Sequence, residues 1–168
     1  DRMIMGPVIR ILRQTDGVAA AEMALVTPLL ITLMFGSFEL GNYFLSEHVV
    51  VKAVRDGARY AGRLSFTEYD CSAPSSDAID KTRNVTRTGQ VASGGAARLT
   101  GWTSPATITV SVNCSATTTG GIYKDKTGGA PVVTVSASVP YSSLLGTVGL
   151  ANPSLTLNAQ SQSAVHGI

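Results

Sequence analysis

The sequence predicts an α+β fold, a long N-terminal helix packed on a small antiparallel sheet. Three observations lead there. Residues 23–38 contain no charged side chain, apolar positions beyond Ser46 recur with helical spacing, and three C-terminal segments alternate apolar and polar residues. Helix first and strands later is the order of an α+β chain, not of alternating βα units.

The totals set the frame. A length of 168 residues suits one domain with an appendage. The net charge of +2 is small and its residues are scattered, so nucleic acid is not implied as a partner. Charged residues make up 14% of the chain, well under the usual quarter, and they stop at Lys126. The 42 residues after it stay wet through Ser, Thr, Asn and Gln. That composition suits exported proteins and surfaces that pack against copies of themselves.

The uncharged run at 23–38 rises about 24 Å as a helix, slightly less than a bilayer core. Continuing past Glu39 through Leu40, Tyr43, Phe44 and Leu45 completes a span, with Glu39 near the outer interface, where a carboxylate costs less than at the midplane. The expected organisation is a basic cytoplasmic leader over 1–17, a transmembrane helix over 18–45, an amphipathic stalk helix over 46–64 and an exported domain over 65–168. Arg2, Arg10 and Arg13 precede the span, and by the positive-inside rule they stay in the cytoplasm. A cleaved secretory signal needs small residues just after its apolar region; GSFELGNYF does not supply them, so the anchor is expected to stay.

Within this helix Pro28 removes a backbone donor, and a kink or a locally loosened turn near Ala24 is expected. Small residues recur four apart at Ala20/Ala24, Ser37/Gly41 and Ala53/Gly57/Ala61, spacings that let helix backbones approach closely in lipid. Beyond Ser46, Val50, Val54, Gly57 and Ala61 follow one face, while Lys52, Asp56, Arg59 and Arg63 follow another. Lys52 and Asp56 have the spacing of an i, i+4 ion pair. The run Arg55, Asp56, Arg59 reads as a solvated face, with an intersubunit role as the sharper alternative.

In the exported part, residues 66–74 read as a loop carrying Cys71. Ser76 or Asp77 caps a short helix through Ile79, Arg83 and Arg87 that Gly89 stops. Ile108, Val110, Val112 and Cys114 share one strand face; so do Val133, Val135, Ala137 and Val139; so do Leu155, Leu157 and Ala159. Residues 117–131 link the first two strands through two glycine pairs. Cys71 and Cys114 read as one disulfide in an oxidising compartment, with two buried thiols as the alternative. Cys114, at the end of its strand, would tie the loop after the stalk to the sheet.

No catalytic set is evident. His48 and His166 lie far apart, no serine sits in a nucleophile elbow, and two distant cysteines without convergent histidines do not make a zinc site. No cofactor, metal or small-molecule substrate is expected, and the chain reads as a non-enzyme. Asn84-Val85-Thr86 and Asn113-Cys114-Ser115 fit a glycosylation pattern, to which little weight is given.

The most specific constellation lies just before the apolar run. Asp16-Gly17-Val18-Ala19-Ala20-Ala21-Glu22-Met23 sets a glutamate five residues after a glycine at the mouth of an apolar helix. This resembles the processing site of type IV prepilins, in which a dedicated membrane peptidase cuts after the glycine. The resemblance implies that Gly17 precedes the scissile bond, Val18 becomes the new N-terminus and Glu22 the fifth residue of the mature chain. In a bundle of such helices Glu22 would meet the α-amino group of Val18 on a neighbour and fix the axial register. The plainer reading is a carboxylate that favours the positive end of the helix dipole.

The wider pattern runs through Pro28, Phe35-Gly36 and Glu39-Leu40-Gly41 to Ala53-Val54-Arg55-Asp56-Gly57-Ala58-Arg59-Tyr60-Ala61. It resembles the TadE-like family, minor pilins or pseudopilins of the tight-adherence (Flp) pilus system. Met23 stands where the family usually has an aromatic, and is long and apolar enough to pack similarly. The resemblance implies a pilin-like fold, a place in the bacterial inner membrane or the pilus, and no catalysis. The partners it implies are the inner membrane, a prepilin peptidase and other pilins or pseudopilins. The alternative is an unprocessed inner-membrane-anchored scaffold or binding protein.

Overall fold

The computed structural model describes residues 15–115, 120–124, 126, 128–147, 149 and 154–167, with side chains from Gly17 onward. The basic leader with Arg2, Arg10 and Arg13, and part of the 117–131 link, lie outside the described residues. The chain divides into two compact units, Asp1–Gly41 and Asn42–Ile168. One helix, α1 (Thr15–Ala61, 47 residues), contributes to both.

In the first unit α1 is apolar all round. Among residues 17–41 only Thr27 and Glu39 are even half-buried, and Leu25 is 80% exposed. The helix runs through Pro28 without a break. Among the described side chains its hydroxyls are turned back onto the backbone. Thr27 donates to Met23 O at 2.6 Å, Thr32 to Pro28 O at 2.8 Å and Ser37 to Leu33 O at 2.7 Å. Each hydroxyl proton thus finds its acceptor inside the helix, as an apolar solvent requires.

From Asn42 onward one stripe of α1 is buried. Ser46, Val50, Ala53, Val54, Gly57, Ala58, Ala61 and Gly62 line it, at the three- and four-residue spacing of a helix face. The stripe packs on a sheet of three antiparallel strands in the order β3 (Ile108–Ser115), β4 (Ala130–Pro140) and β5 (Thr156–Ala164). Val50 and Val54 share one core with Ile108, Val110, Val133, Val135, Val139, Leu157 and Trp102. The fold is the predicted α+β arrangement, a long helix on a small antiparallel sheet.

Several local expectations are corrected. Residues 66–74 are not plain loop. Phe66–Glu68 forms a 3-10 turn, and β1 (Tyr69–Asp70) pairs with β2 (Ala73–Pro74) in a tight ribbon that carries Cys71 at its turn. Helix α2 (Ser76–Thr88) is capped by Ser75, not by Ser76 or Asp77. Ser75 Oγ accepts from Ala78 N–H and donates to the Glu68 carboxylate, so one hydroxyl closes both the helix and the ribbon. Ser76 and Asp77 lie inside the first turn, where Asp77 pairs with Lys81. Gly89 ends α2 in the left-handed region, φ 79°, as the predicted stop residue. Leu155 precedes β5 and is 47% exposed, because the chain adopts strand geometry only from Thr156.

Ala53, Gly57 and Ala61 face no lipid. Ala53 and Ala61 are fully buried in the second unit, and a Cβ on Gly57 would lie 2.0 Å from Thr86 Oγ1. The close approach that glycine permits is to α2 of the same chain. Thr86 is itself fully buried and donates to Thr82 O at 2.7 Å, so its side chain has little freedom to yield.

Gly57→Ala should therefore destabilise the protein despite alanine's better helix propensity, by about 1–3 kcal/mol for overpacking. Thermal unfolding in detergent measures this. Adding Thr86→Ala should recover most of the loss, because it removes the side chain that the new Cβ meets.

Candidate functional site

The residues singled out from the sequence fall into three places on the structure. Gly17, Val18, Glu22, Met23 and Pro28 lie on the first unit's exposed helix. Val18 and Met23 are 60% and 64% exposed, and a Cβ on Gly17 would meet nothing within 4 Å. Glu22 is exposed one helical turn beyond Val18. Between Met23 and Ile31 the small side chains of Ala20, Ala24 and Thr27 leave an open concavity that Pro28 and Thr32 also line. This segment presents a nearly unbroken apolar surface interrupted by one carboxylate at its entrance and one, Glu39, near its end.

The motif Arg55, Asp56, Gly57, Arg59 divides by function. Gly57 is buried against Thr86, while Arg55 and Arg59 are exposed. Asp56 does not pair with Lys52. Its Oδ2 accepts from Arg98 Nη1 at 2.6 Å, and both side chains are partly buried. Arg98 reaches it because its own N–H is fixed to Arg87 O, at 2.8 Å, at the end of α2. A partner 42 residues away, held by backbone, wins over the neighbour one turn earlier, which is solvated.

The third place is the disulfide. Cys71 and Cys114 are joined with a Cα–Cα distance of 5.5 Å, tying the ribbon turn to the end of β3. Gly128 passes beside it at φ 91°, where a Cβ would lie 2.6 Å from Cys71 Sγ. Only glycine fits both the conformation and the space. Closing a loop with a sequence separation of 43 stabilises the fold by about 4 kcal/mol in the chain-entropy view.

Sequence reading passed over five residues that organise the second unit. Trp102 is 1% exposed, and its indole N–H donates to Thr107 Oγ1 at 2.8 Å. As the chain's one tryptophan it was a visible anchor candidate. Arg98 and Tyr69 carried no local signal. Asn42 Nδ2 donates to Tyr141 Oη at 2.8 Å, and Tyr43 packs edge-on to Tyr141 with ring centroids 5.3 Å apart. Tyr69 is buried between α1 and the ribbon, and its hydroxyl donates to Ala61 O at 2.6 Å. Burial, then the nearby Glu68 and Tyr60, push its pKa above the ordinary tyrosine range. Among the described residues no three His, Cys, Asp or Glu side chains converge as a metal site would require.

A family model described as TadE-like protein matches residues 17–59. Over that segment the chain is TadE-like. The matched segment takes in the exposed helix and most of the stripe buried in the second unit, and it ends at Arg59. No curated protein and no solved structure matches the chain at a significant level. The similarity to TadE-like proteins is confined to this segment, residues 17–59. Its helix is long and apolar enough to cross a membrane, consistent with a single-pass anchor.

The buried phenol of Tyr69 sets a pH dependence. The unfolded chain releases this proton near pH 10, whereas the folded chain holds it to higher pH. Above pH 10 the folded state binds more protons, so stability falls as pH rises. Tyr69→Phe should cost about 1 kcal/mol at neutral pH through the lost hydrogen bond to Ala61. That deficit should shrink steadily above pH 10, as urea unfolding at a series of pH values would show.

Proposed function

We propose that this chain is a minor pilin or pseudopilin of a tight-adherence pilus, contributing to assembly, initiation or the tip of the fibre and so to surface adherence. In this reading residues 1–17 are a cytoplasmic leader, 18–45 span the inner membrane, 46–64 form the stalk and 65–168 the periplasmic domain, which is extracellular once the chain enters the pilus. A prepilin peptidase cuts between Gly17 and Val18. The other partners are the inner membrane and further pilins or pseudopilins.

One observation carries the reading: the TadE-like segment includes a helix whose first unit is apolar on every side and covered by no described residue. Such a surface needs lipid or other helices around it. Glu22 gives the surface its register. A carboxylate at the edge of a bilayer is unfavourable unless paired, and the α-amino group freed at Val18 of a neighbour supplies a positive charge at matching depth. At hydrogen-bonding distance in a poorly hydrated site the two attract strongly, and desolvation cancels much of the gain. What remains is chiefly specificity, since a helix slipped by one turn leaves both charges unpaired. Gly17 favours the cut, because glycine weakens the helix by roughly 0.5–1 kcal/mol.

Intact-mass analysis of protein extracted from membranes of a peptidase-competent strain should show a chain beginning at Val18. Glu22→Ala should be trimmed normally yet lose fibre incorporation, as immunogold labelling of sheared pili would reveal. A chain retaining the Gly17–Val18 bond in that strain would refute the processing step and leave the unprocessed anchored scaffold.

A further inference from the structure

The two edges of the three-stranded sheet differ. Val165 N–H donates to Pro131 O and Tyr141 N–H to Leu155 O, both at 2.9 Å. Each bond joins directly opposed residues on the continued β4–β5 register. In an antiparallel pair such bonded positions recur at every second residue. The odd-numbered residues of β5 therefore bond to β4, and Thr156, Asn158, Gln160 and Gln162 direct their N–H and C=O groups away from it. By the same parity Ile108, Val110, Val112 and Cys114 face outward at the β3 edge.

The β3 edge is occupied. Ile108 O accepts from Arg83 Nε at 3.0 Å, α2 and the ribbon pack alongside, and the disulfide holds Cys114. On β5 the described residues cover only the last positions. His166 N–H donates to Gly62 O at 2.7 Å, and Gly62 abuts Ala164 O. Among the described residues none bonds to the outward backbone groups from Thr156 to Gln162. Edge strands are usually guarded by charge, proline or a bulge. The sequence TLNAQSQSA contains neither charge nor proline, and its register with β4 is unbroken.

We propose that this edge pairs with the same edge of a second copy, antiparallel about a two-fold axis at Ala159. The match is self-complementary. Thr156 then faces Gln162 and Asn158 faces Gln160, so every open N–H and C=O of the stretch gains a partner. Asn158, Gln160 and Gln162 are exposed on one face, where amides of opposing strands both donate and accept. The axis falls at a small residue. A charged edge meeting its own copy would set like charges together; this edge has none to oppose. Gly62 blocks extension through Ala164, which selects the register centred on Ala159 over one centred on Gln160. The pairing does not depend on cleavage at Gly17.

Site-specific cross-linking of the full chain in detergent tests it. Mixing Asn158→Cys with Gln160→Cys protein, and Thr156→Cys with Gln162→Cys protein, should give cross-linked heterodimers with a short thiol reagent. Pairs carrying Thr134→Cys, on the central strand, should not. Gln160→Pro removes an outward N–H that β4 does not use. Placed in both members of the Thr156→Cys and Gln162→Cys pair, it should abolish their cross-link while the Cys71–Cys114 bond and the helical circular dichroism remain. Cross-linking no greater than in the Thr134→Cys control overturns the proposal, and so does a cross-link that survives Gln160→Pro. If the proline variant does not fold, the Asn158→Cys and Gln160→Cys mixture decides alone.

Discussion

The contact on which the second unit depends is the close approach of Gly57 to Thr86. It brings two helix backbones together where no side chain larger than hydrogen fits, and so fixes α2 against α1. From α2 the order spreads outward. Arg83 reaches Ile108 O at the sheet edge, and Arg87 O holds Arg98 so that its guanidinium meets Asp56 on α1. The Ser75 cap binds Glu68 and with it the ribbon, whose turn is stapled to β3 by the disulfide. Each link is modest in free energy, about 1 kcal/mol for a net hydrogen bond. Their joint geometry depends on the interhelix distance that the glycine allows.

The same helix follows two rules of composition, and the change comes at Asn42. Before Asn42 the apolar residues surround the axis and the hydroxyls bond their own backbone. After it the apolar residues collapse to one stripe, and Lys52, Arg55, Arg59 and Arg63 occupy the exposed side. A helix of either kind alone is ordinary. Joined without a break they couple a surface that must be covered by lipid or neighbours to a folded unit that is already covered by itself. Substitutions in the first stretch should bear on assembly, and those in the buried stripe on folding.

Periodicity in the sequence revealed what is periodic in the structure. The long helix, its change of character and the three strands were legible because each repeats a local rule over many residues. The paired cysteines were legible because so few pairings were open. What escaped were single contacts between distant residues. Nothing near Asp56 indicates that Arg98 rather than Lys52 will neutralise it, since the choice depends on where α2 ends. The small residues at Ala53, Gly57 and Ala61 were legible as a close-packing surface, and the stripe through Gly57 and Ala61 as one that docks on the exported domain; that α2 is the neighbour of Gly57 was not, because spacing does not name a partner. Ser75 was displaced from the cap reading by two other capping residues directly after it. Leu155 shared the parity of its strand but not its geometry.

The charge-free C-terminal stretch takes on meaning when the anchor and the open sheet edge are considered together. A pair of edge strands alone is marginal in water, so free domains would seldom stay joined through β5. Copies held by helices in one membrane or one bundle meet at effective concentrations on the order of millimolar. Under that condition a weak backbone contact is sufficient, and charges that would keep soluble copies apart become a disadvantage. An edge without lysine or proline is a hazard for a diffusing protein and a usable joint for a tethered one. In this chain both features occur together: an N-terminal helix that no described residue covers and a β5 edge that carries no charge.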